Sequence, residues 1–435
     1  MELLEKINAV QASVAVIGLG YVGLPLAVEK AKAGFTVIGI ERKEARVAMV
    51  SRGESYIPDV LVDELAEVVA SGKLRATQDI SVVADVDVVT ICVPTPLDRN
   101  KQPDTRYIEH VTDQALPYLH AGQLVVLEST TYPGSTEEII QSRLEAKGFT
   151  VGEDVFLAFS PERVDPGNIR YKTQNTPKVV GGVTPACTKC AQALYEKVIQ
   201  GQVFAVSSPR VAEMAKLLEN IFRIVNISLV NELALLCERM GIDMWEVIEA
   251  AKTKPFGFMP FYPGPGLGGH CIPLDPFYLS WKAKEYQFTT RFIELAGQVN
   301  DGMPQHVAER AMGILNRAGK ALNGSRVLLL GMAYKRDIDD LRESPATKIA
   351  HILKTGGAAL SYHDPHIPEV RVEGLELSSR PLTPEVLADA DLVIITTAHT
   401  SVDYSMVVEH APLVFDTRNA TAGIDSPKVT RLGVG

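Results

Sequence analysis

Along residues 1–205, short runs rich in Val and Ile alternate with longer stretches whose apolar positions recur at helical spacing. The runs at 13–17, 36–40, 86–92, 124–128 and 155–159 read as strands, and their alternation with helices is the rhythm of a doubly wound parallel sheet. From Pro209 the pattern changes. Residues 211–239 form one mainly apolar helical stretch, ended by Gly241, whose length suits a helix that joins two domains or forms a dimer seam and is buried on most sides. After Asn323-Gly-Ser the alternation returns, with strands predicted at 326–331 and 359–364. Residues 390–398 echo 86–93, each with an aspartate at the start of a buried strand.

The first strand runs directly into Gly18-Leu-Gly-Tyr-Val-Gly23 and a helical stretch, the context a dinucleotide fingerprint requires. Gly18 makes the tight turn, Gly20 leaves room for a pyrophosphate, and Gly23 lets helix and strand pack closely, with Tyr21 and Val22 in the same turn. The helix N-terminus supplies amide donors to the phosphate. The second strand ends at Glu41, placed to accept from the adenosine ribose hydroxyls, which favours NAD over NADP. Arg42 beside it would suit a 2′-phosphate, but an acid at the strand tip repels one. The later half keeps only the first glycine, in Gly331-Met-Ala-Tyr, and need not bind a dinucleotide. The expected fold class is therefore α/β: two Rossmann-like doubly wound parallel-sheet domains, 1–205 and 319–435, joined by a helical middle domain, 206–318, with one long central helix.

Composition narrows the partners. At 435 residues the chain has room for about three domains of ~150 residues. A hydrophobic share of 46% with 22% charged residues is ordinary for a globular protein, and no apolar run is expected to approach the ~20 residues of a bilayer span. The first residues lack a basic region followed by an apolar core, so a cytoplasmic location is expected, with no membrane partner. Five cysteines fit a reducing compartment and argue against a disulfide framework. A net charge of −10 disfavours nucleic acid. Cys187-Thr-Lys-Cys190 has redox spacing but lies in a helical stretch without a second Cys/His pair, and His363, His366 and His399 are scattered, so no metal site is expected.

One cysteine stands apart. Cys271 lies in Gly264-Pro-Gly-Leu-Gly-Gly-His-Cys-Ile-Pro-Leu-Asp-Pro276, a backbone-permissive loop with Asp275 four residues on, the surroundings of a thiol meant to react. Cys92 and Cys237, by contrast, sit inside apolar runs like packing residues. For Asp275 taken alone, a turn or helix cap before Pro276 is an equal reading.

Set side by side, these segments resemble the UDP-glucose/UDP-N-acetylhexosamine 6-dehydrogenase family over nearly the whole chain. The matching motifs run in order: the glycine fingerprint, Val93-Pro-Thr-Pro96, Glu128-Ser-Thr-Thr131, Ser160-Pro-Glu-Arg163 with Pro166-Gly-Asn168, Glu213-Met-Ala-Lys-Leu-Leu-Glu-Asn220, the Cys271 loop, and Tyr334-Lys-Arg-Asp337 with Arg342-Glu-Ser-Pro345. The resemblance implies a four-electron oxidation of sugar carbon 6 with two NAD, through a thiohemiacetal and a thioester on Cys271. It assigns Lys216 and Asn220, at helical i, i+4 spacing, to the developing oxyanion, and Asp275 to the hydrolytic water or to keeping Lys216 charged. Glu162 and Thr130 become further polar groups around sugar, water and cofactor, and Thr95 a donor near the nicotinamide ribose. Arg342 is implied near the cofactor pyrophosphate. Arg163, Gly268, Lys335, Phe261, Tyr262 and Arg418 are implied on the UDP-sugar side. The proline-rich segment before Cys271 is similar to the bacterial UDP-N-acetylglucosamine 6-dehydrogenases. UDP-N-acetylmannosamine, UDP-N-acetylgalactosamine and UDP-glucose stay open as substrates. A homodimer or higher homo-oligomer and a place in surface-polysaccharide precursor synthesis follow from the same resemblance. A two-electron hydroxyacid-type dehydrogenase or an NAD sensor would leave Cys271 without a purpose.

Overall fold

The computed structural model describes residues 2–98, 101–165, 167–168, 170–372 and 374–435, which leaves Pro166 of the Pro166-Gly-Asn168 motif outside the described residues. The chain forms two compact units, 1–219 with 277–288, and 220–276 with 289–435.

The first unit is built on eight strands: β1 Ser13–Ile17, β2 Thr36–Ile40, β3 Leu74–Thr77, β4 Val88–Ile91, β5 Leu124–Leu127, β6 Phe156–Phe159, β7 Lys178–Gly182 and β8 Val203–Val206. Their order is β3-β2-β1-β4-β5-β6-β7-β8. All pairs are parallel except β6 with β7. The unbroken apolar runs have a direct cause, because both faces are covered. Val14 and Val16 pack into one core with Leu24, Leu26 and Phe35, while Ala15 and Ile17 pack into another with Ile38, Ile40 and Ile91. Each large side chain so buried stabilises the unit by roughly 1.5–3 kcal/mol. The predicted strand at 86–92 begins two residues late because Asp87 caps its start, its carboxylate accepting from Ser13 N at 2.9 Å and Lys6 Nζ at 2.5 Å.

The second unit carries a smaller parallel sheet, in the order β10-β9-β13-β14-β15, and a separate hairpin of β11 with β12. The strands are β9 Arg326–Leu330, β10 Ala359–His363, β11 Glu369–Val372, β12 Leu375–Ser378, β13 Leu392–Ile395, β14 Val414–Asp416 and β15 Val429–Arg431. The helices Met244–Ala251 and Arg291–Arg317 belong to this unit. Asp243 starts the first of them by accepting from Trp245 N and Glu246 N at 2.9 and 3.3 Å.

The long helix spans Pro209–Met240 and stops where Gly241 takes φ 72°. Burial on most sides is not what the structure has. Val211, Met214, Leu218, Phe222, Leu229, Leu233, Leu236 and Met240 recur at three- and four-residue steps (seven between Phe222 and Leu229) and stay exposed, Leu218 by 59% and Met240 by 60%. By length and composition alone this helix is long and apolar enough to cross a membrane, although Arg210, Glu213, Lys216, Arg223 and Glu232 interrupt any continuous apolar run. Its first turns are anchored in protein. Buried Glu213 accepts from Gly134 N at 2.6 Å, Ser135 Oγ at 2.9 Å, and Thr136 N and Oγ1 at 3.0 and 2.7 Å.

Candidate active site

In the first unit the turn after β1 is shaped by its glycines. Gly18 has φ 91°, and a Cβ there would stand 2.6 Å from the Cys92 carbonyl oxygen; a Cβ on Gly23 would stand 1.8 Å from the Gly18 oxygen. Nothing lies within 4 Å of a Cβ on Gly20, so the turn is open on that side. The helix Gly23–Lys32 starts at once, with Val22 as its N-cap and Tyr21 39% exposed. Glu41 follows β2, its carboxylate accepting from Leu19 N at 3.3 Å and Lys43 N at 3.0 Å. Arg42 is exposed, and its carbonyl accepts from Gln78 Nε2 at 2.8 Å. An open turn, a helix N-terminus and an acid at the second strand tip fit a dinucleotide with an unphosphorylated ribose.

The loops after β4 and β5 are laced together. Thr95 Oγ1 donates to the Thr130 carbonyl at 2.6 Å and Ser129 Oγ to the Val93 carbonyl at 2.7 Å, while the Tyr278 hydroxyl donates to the Thr95 carbonyl. The Thr95 proton is thus engaged by protein, so its hydroxyl is left as an acceptor and not a donor. Glu162, after β6, accepts through Oε1 from the amides of Arg163 and Val164 at 2.7 and 3.0 Å. Its Oε2 lies 3.5 Å from the Lys178 ammonium. Burial pushes this carboxyl up, but Lys178, the two amides and Lys216 together hold it below the usual carboxylate range. The Arg163 guanidinium donates to the Pro177 carbonyl at 2.9 Å and pairs with Glu219 at 2.7 Å. Lys216, on the long helix, is buried.

In the second unit Cys271 is exposed and is the first residue of the helix Cys271–Ala283. The permissive loop ends just before it. A thiolate at that position sits at the positive end of the helix. Asp275 lies inside this helix, buried, and accepts from Asn220 Nδ2 at 2.7 Å, so it is neither a turn residue nor a cap. The loop before Cys271 is clamped along its length. Gly264 N donates to buried Asn231 Oδ1 at 2.9 Å and Gly269 N to the Arg342 carbonyl at 2.9 Å. A Cβ on Gly268 would stand 2.4 Å from Tyr334 Cβ, and one on Gly264 2.6 Å from Arg418 Nη1. Arg418 also donates to the Thr396 carbonyl at 3.0 Å; burial, with Arg336 adding to it, lowers its guanidinium to about 10. His270 is pushed down by burial and by Arg342. Lys335 is half-buried in the loop after β9, and Arg342 pairs with Asp340 at 2.6 Å. Phe261 packs edge-on against Phe222, and Tyr262 stacks on Trp245 with its hydroxyl donating to Glu249 at 3.1 Å, so both rings are already engaged in packing.

Asn231, with its partner Asn300 at 2.8 Å, and Lys178 escaped the sequence reading. A lone asparagine in a helix and a lysine opening a strand both read as solvated, and nothing local marks their buried partners. His366 and His399, read as scattered, come together with Asp337, ring centroids 5.1 Å apart. Asp337 N donates to His399 Nδ1 at 3.0 Å and His399 Nε2 donates to Asp364 at 3.1 Å, so both ring nitrogens of His399 are engaged within the protein.

A glycine-turn cradle on a sheet of order 3-2-1-4-5-6, extended by two strands, defines an α/β domain of the dinucleotide-binding class. Comparison with known proteins makes the class specific. Residues 12–199, 210–302 and 328–423 match the NAD binding, central and UDP binding domains of the UDP-glucose/GDP-mannose dehydrogenase family. A UDP-N-acetyl-D-glucosamine 6-dehydrogenase of Pseudomonas aeruginosa is 38% identical over 355 residues, 81% of this chain and 83% of that protein. An NDP-N-acetyl-D-galactosaminuronic acid dehydrogenase of Ralstonia nicotianae is 36% identical over 89% of this chain and 90% of its own length. The structure of a UDP-D-ManNAc dehydrogenase from Pyrococcus horikoshii has a TM-score of 0.88 at 32% identity, covering 97% of this chain and 99% of that one. The chain belongs to the UDP-glucose/GDP-mannose dehydrogenase family and is an NAD-dependent UDP-sugar dehydrogenase.

Proposed function

We propose that this enzyme oxidises carbon 6 of a UDP-N-acetylhexosamine, UDP-N-acetyl-D-glucosamine first, to the uronic acid, as a precursor step for surface polysaccharide. The observation that carries the reading is an exposed Cys271 at a helix N-terminus, one turn from a buried Asp275 paired with Asn220. NAD, when bound, accepts a hydride at each of two oxidations. The Cys271 thiolate adds to the carbonyl carbon of the intermediate aldehyde, giving a thiohemiacetal; loss of hydride from that carbon leaves a thioester, which water cleaves to the acid and the free thiol. Lys216 balances charge on the oxygen as it develops, and Asn220, with one amide proton on Asp275, offers the other. Asp275, acceptor-only when ionised, orients water. The polar loops carrying Thr95, Thr130 and Glu162 serve the cofactor and sugar, and Arg163, Gly268, Lys335 and Arg418 the UDP-sugar. A homodimer seated on the apolar stripe of the long helix and a cytoplasmic location belong to the same reading.

Purified protein incubated with UDP-GlcNAc, UDP-ManNAc, UDP-GalNAc and UDP-glucose tests it through NADH formed per sugar consumed. Two NADH with one preferred sugar, and no acid from Cys271→Ser, is the expected result. One NADH per sugar with a fully active Cys271→Ser would overturn the thioester route.

A further inference from the structure

Lys178 opens β7 with its side chain only 4% exposed. Its ammonium has three protons and meets three acceptors: Glu128 Oε2 at 2.8 Å, the Pro161 carbonyl at 3.2 Å and Glu162 Oε2 at 3.5 Å. The second oxygen of fully buried Glu128 takes the Tyr195 hydroxyl, and the second oxygen of Glu162 takes the two amides of its own turn. One cation therefore ties the loop after β5 to the loop after β6 and fixes the Glu162 carboxylate by both oxygens. An unpaired charge in such surroundings costs several kcal/mol, so the lysine and its two acids stand or fall together.

We propose that Lys178 is the positioning residue that holds Glu162 ionised and in one orientation, so that Glu162 acts on the reaction as a base or water-orienting carboxylate and not as a proton donor. The inference rests on the reading in which Glu162 serves the substrate. The groups facing Glu162 are Lys178 from β7, Glu128 beyond it at the end of β5, Lys216 from the long helix, Cys92 after β4 and Tyr195 from the helix Pro185–Val198. The Cys92 thiol and the Tyr195 phenol are both pushed up by burial and then by Glu128, and stay neutral. Lys178, the turn amides and Lys216 oppose the burial of Glu162, and Lys178 is the stronger cation.

The test is kcat/KM against pH for the wild type, Lys178→Met, Lys178→Arg, Glu162→Gln and the double variant Lys178→Met/Glu162→Gln, with folding followed by thermal melting. Removing the cation leaves burial less opposed, so the carboxyl titrates higher and the acidic limb of Lys178→Met moves up by about one pH unit or more. Lys178→Arg brings it back. In the Glu162→Gln background the Lys178 substitution leaves the limb where it is. A folded Lys178→Met with an unmoved limb overturns the inference, as does a shift of equal size without Glu162. Should Lys178→Met fail to fold, Glu128→Gln keeps the lysine and removes its competing acid; the limb then moves down, and an unmoved limb is again fatal. NADH stoichiometry keeps the two readings separate. Two NADH per sugar with an unmoved limb sinks the role of Lys178 alone, whereas one NADH sinks the thioester route.

Discussion

The two sheet-bearing halves of this chain share one frame and use it differently. Gly18 and Gly331 both sit after a first strand at φ 91°, and each donates its amide to the end of the second strand, Gly18 to Ile40 O and Gly331 to His363 O, both at 2.8 Å. In the first half a helix begins at Gly23, its N-terminal amides over the turn, and the acid at the second strand tip, Glu41, takes only Leu19 N from that turn. In the second half no helix begins until Pro345. There Asp364 turns back into the turn and takes Met332 N at 2.6 Å and Ala333 N at 3.0 Å, with His399 behind it. The amides that would cradle a phosphate are occupied by the protein's own carboxylate. A strand–glycine–strand frame thus makes a dinucleotide cradle only where the helix follows directly.

Glycine substitution separates the halves most sharply. Gly23→Ala forces a Cβ to within 1.8 Å of backbone and should abolish NAD binding, read by NADH fluorescence titration, while destabilising the first unit. Gly331→Ala meets Thr397 Cβ at 2.4 Å in a left-handed turn and should lower the melting temperature by a cost of roughly 2–4 kcal/mol with NAD affinity unchanged. Equal loss of NAD affinity in both would end the distinction.

How much of this was legible follows from how local each signal is. β1 and β2 match their predicted bounds because both faces are buried, which gives unbroken apolar runs ended by glycine or an acid. The hairpin of β11 and β12 escaped notice because its strands are four residues each with one exposed face, a pattern too brief to stand out. Cys271 was conspicuous from its glycines, but its place at a helix start was hidden by Pro273 and Pro276, which read as breakers; Pro273 falls in the first turn, which tolerates proline, whereas Pro276 lies inside the helix. The Glu128–Lys178 and Asn231–Gly264 pairs join positions far apart in sequence, where no spacing rule applies. The exposed stripe of the long helix was visible as apolar residues, and only the fold decides which of them meet protein.

Asp364 offers a middle-sized test through pH. Burial pushes its carboxyl up, but His399 and the Ala333 and His366 amides carry it down to about 2. A carboxyl held below its unfolded value contributes stability that is fully present above about pH 4 and is lost as pH falls through about 2, here roughly 2 kcal/mol. Asp364→Asn should remove that acid-dependent part of the second unit's stability and lower the melting temperature at pH 7, leaving NAD affinity at the wild-type value. A melting curve whose dependence between pH 4 and 2 is the same in the variant would show that the carboxylate does not hold the turn.

The smallest effect belongs to the acid of the first half, where the carboxylate is only partly engaged by backbone and keeps lone pairs for a ligand. Glu41→Gln preserves shape but replaces one acceptor oxygen with a donor and removes the charge that repels a 2′-phosphate. NAD affinity should fall by about tenfold, the worth of one charge-assisted hydrogen bond, while NADP gains relative to NAD because Arg42 beside it is then unopposed. Titration of both cofactors measures the ratio. An unchanged NADP/NAD ratio would mean that Glu41, like Asp364, serves its own turn and not the ribose, and the contrast between the halves would then rest on the helix start alone.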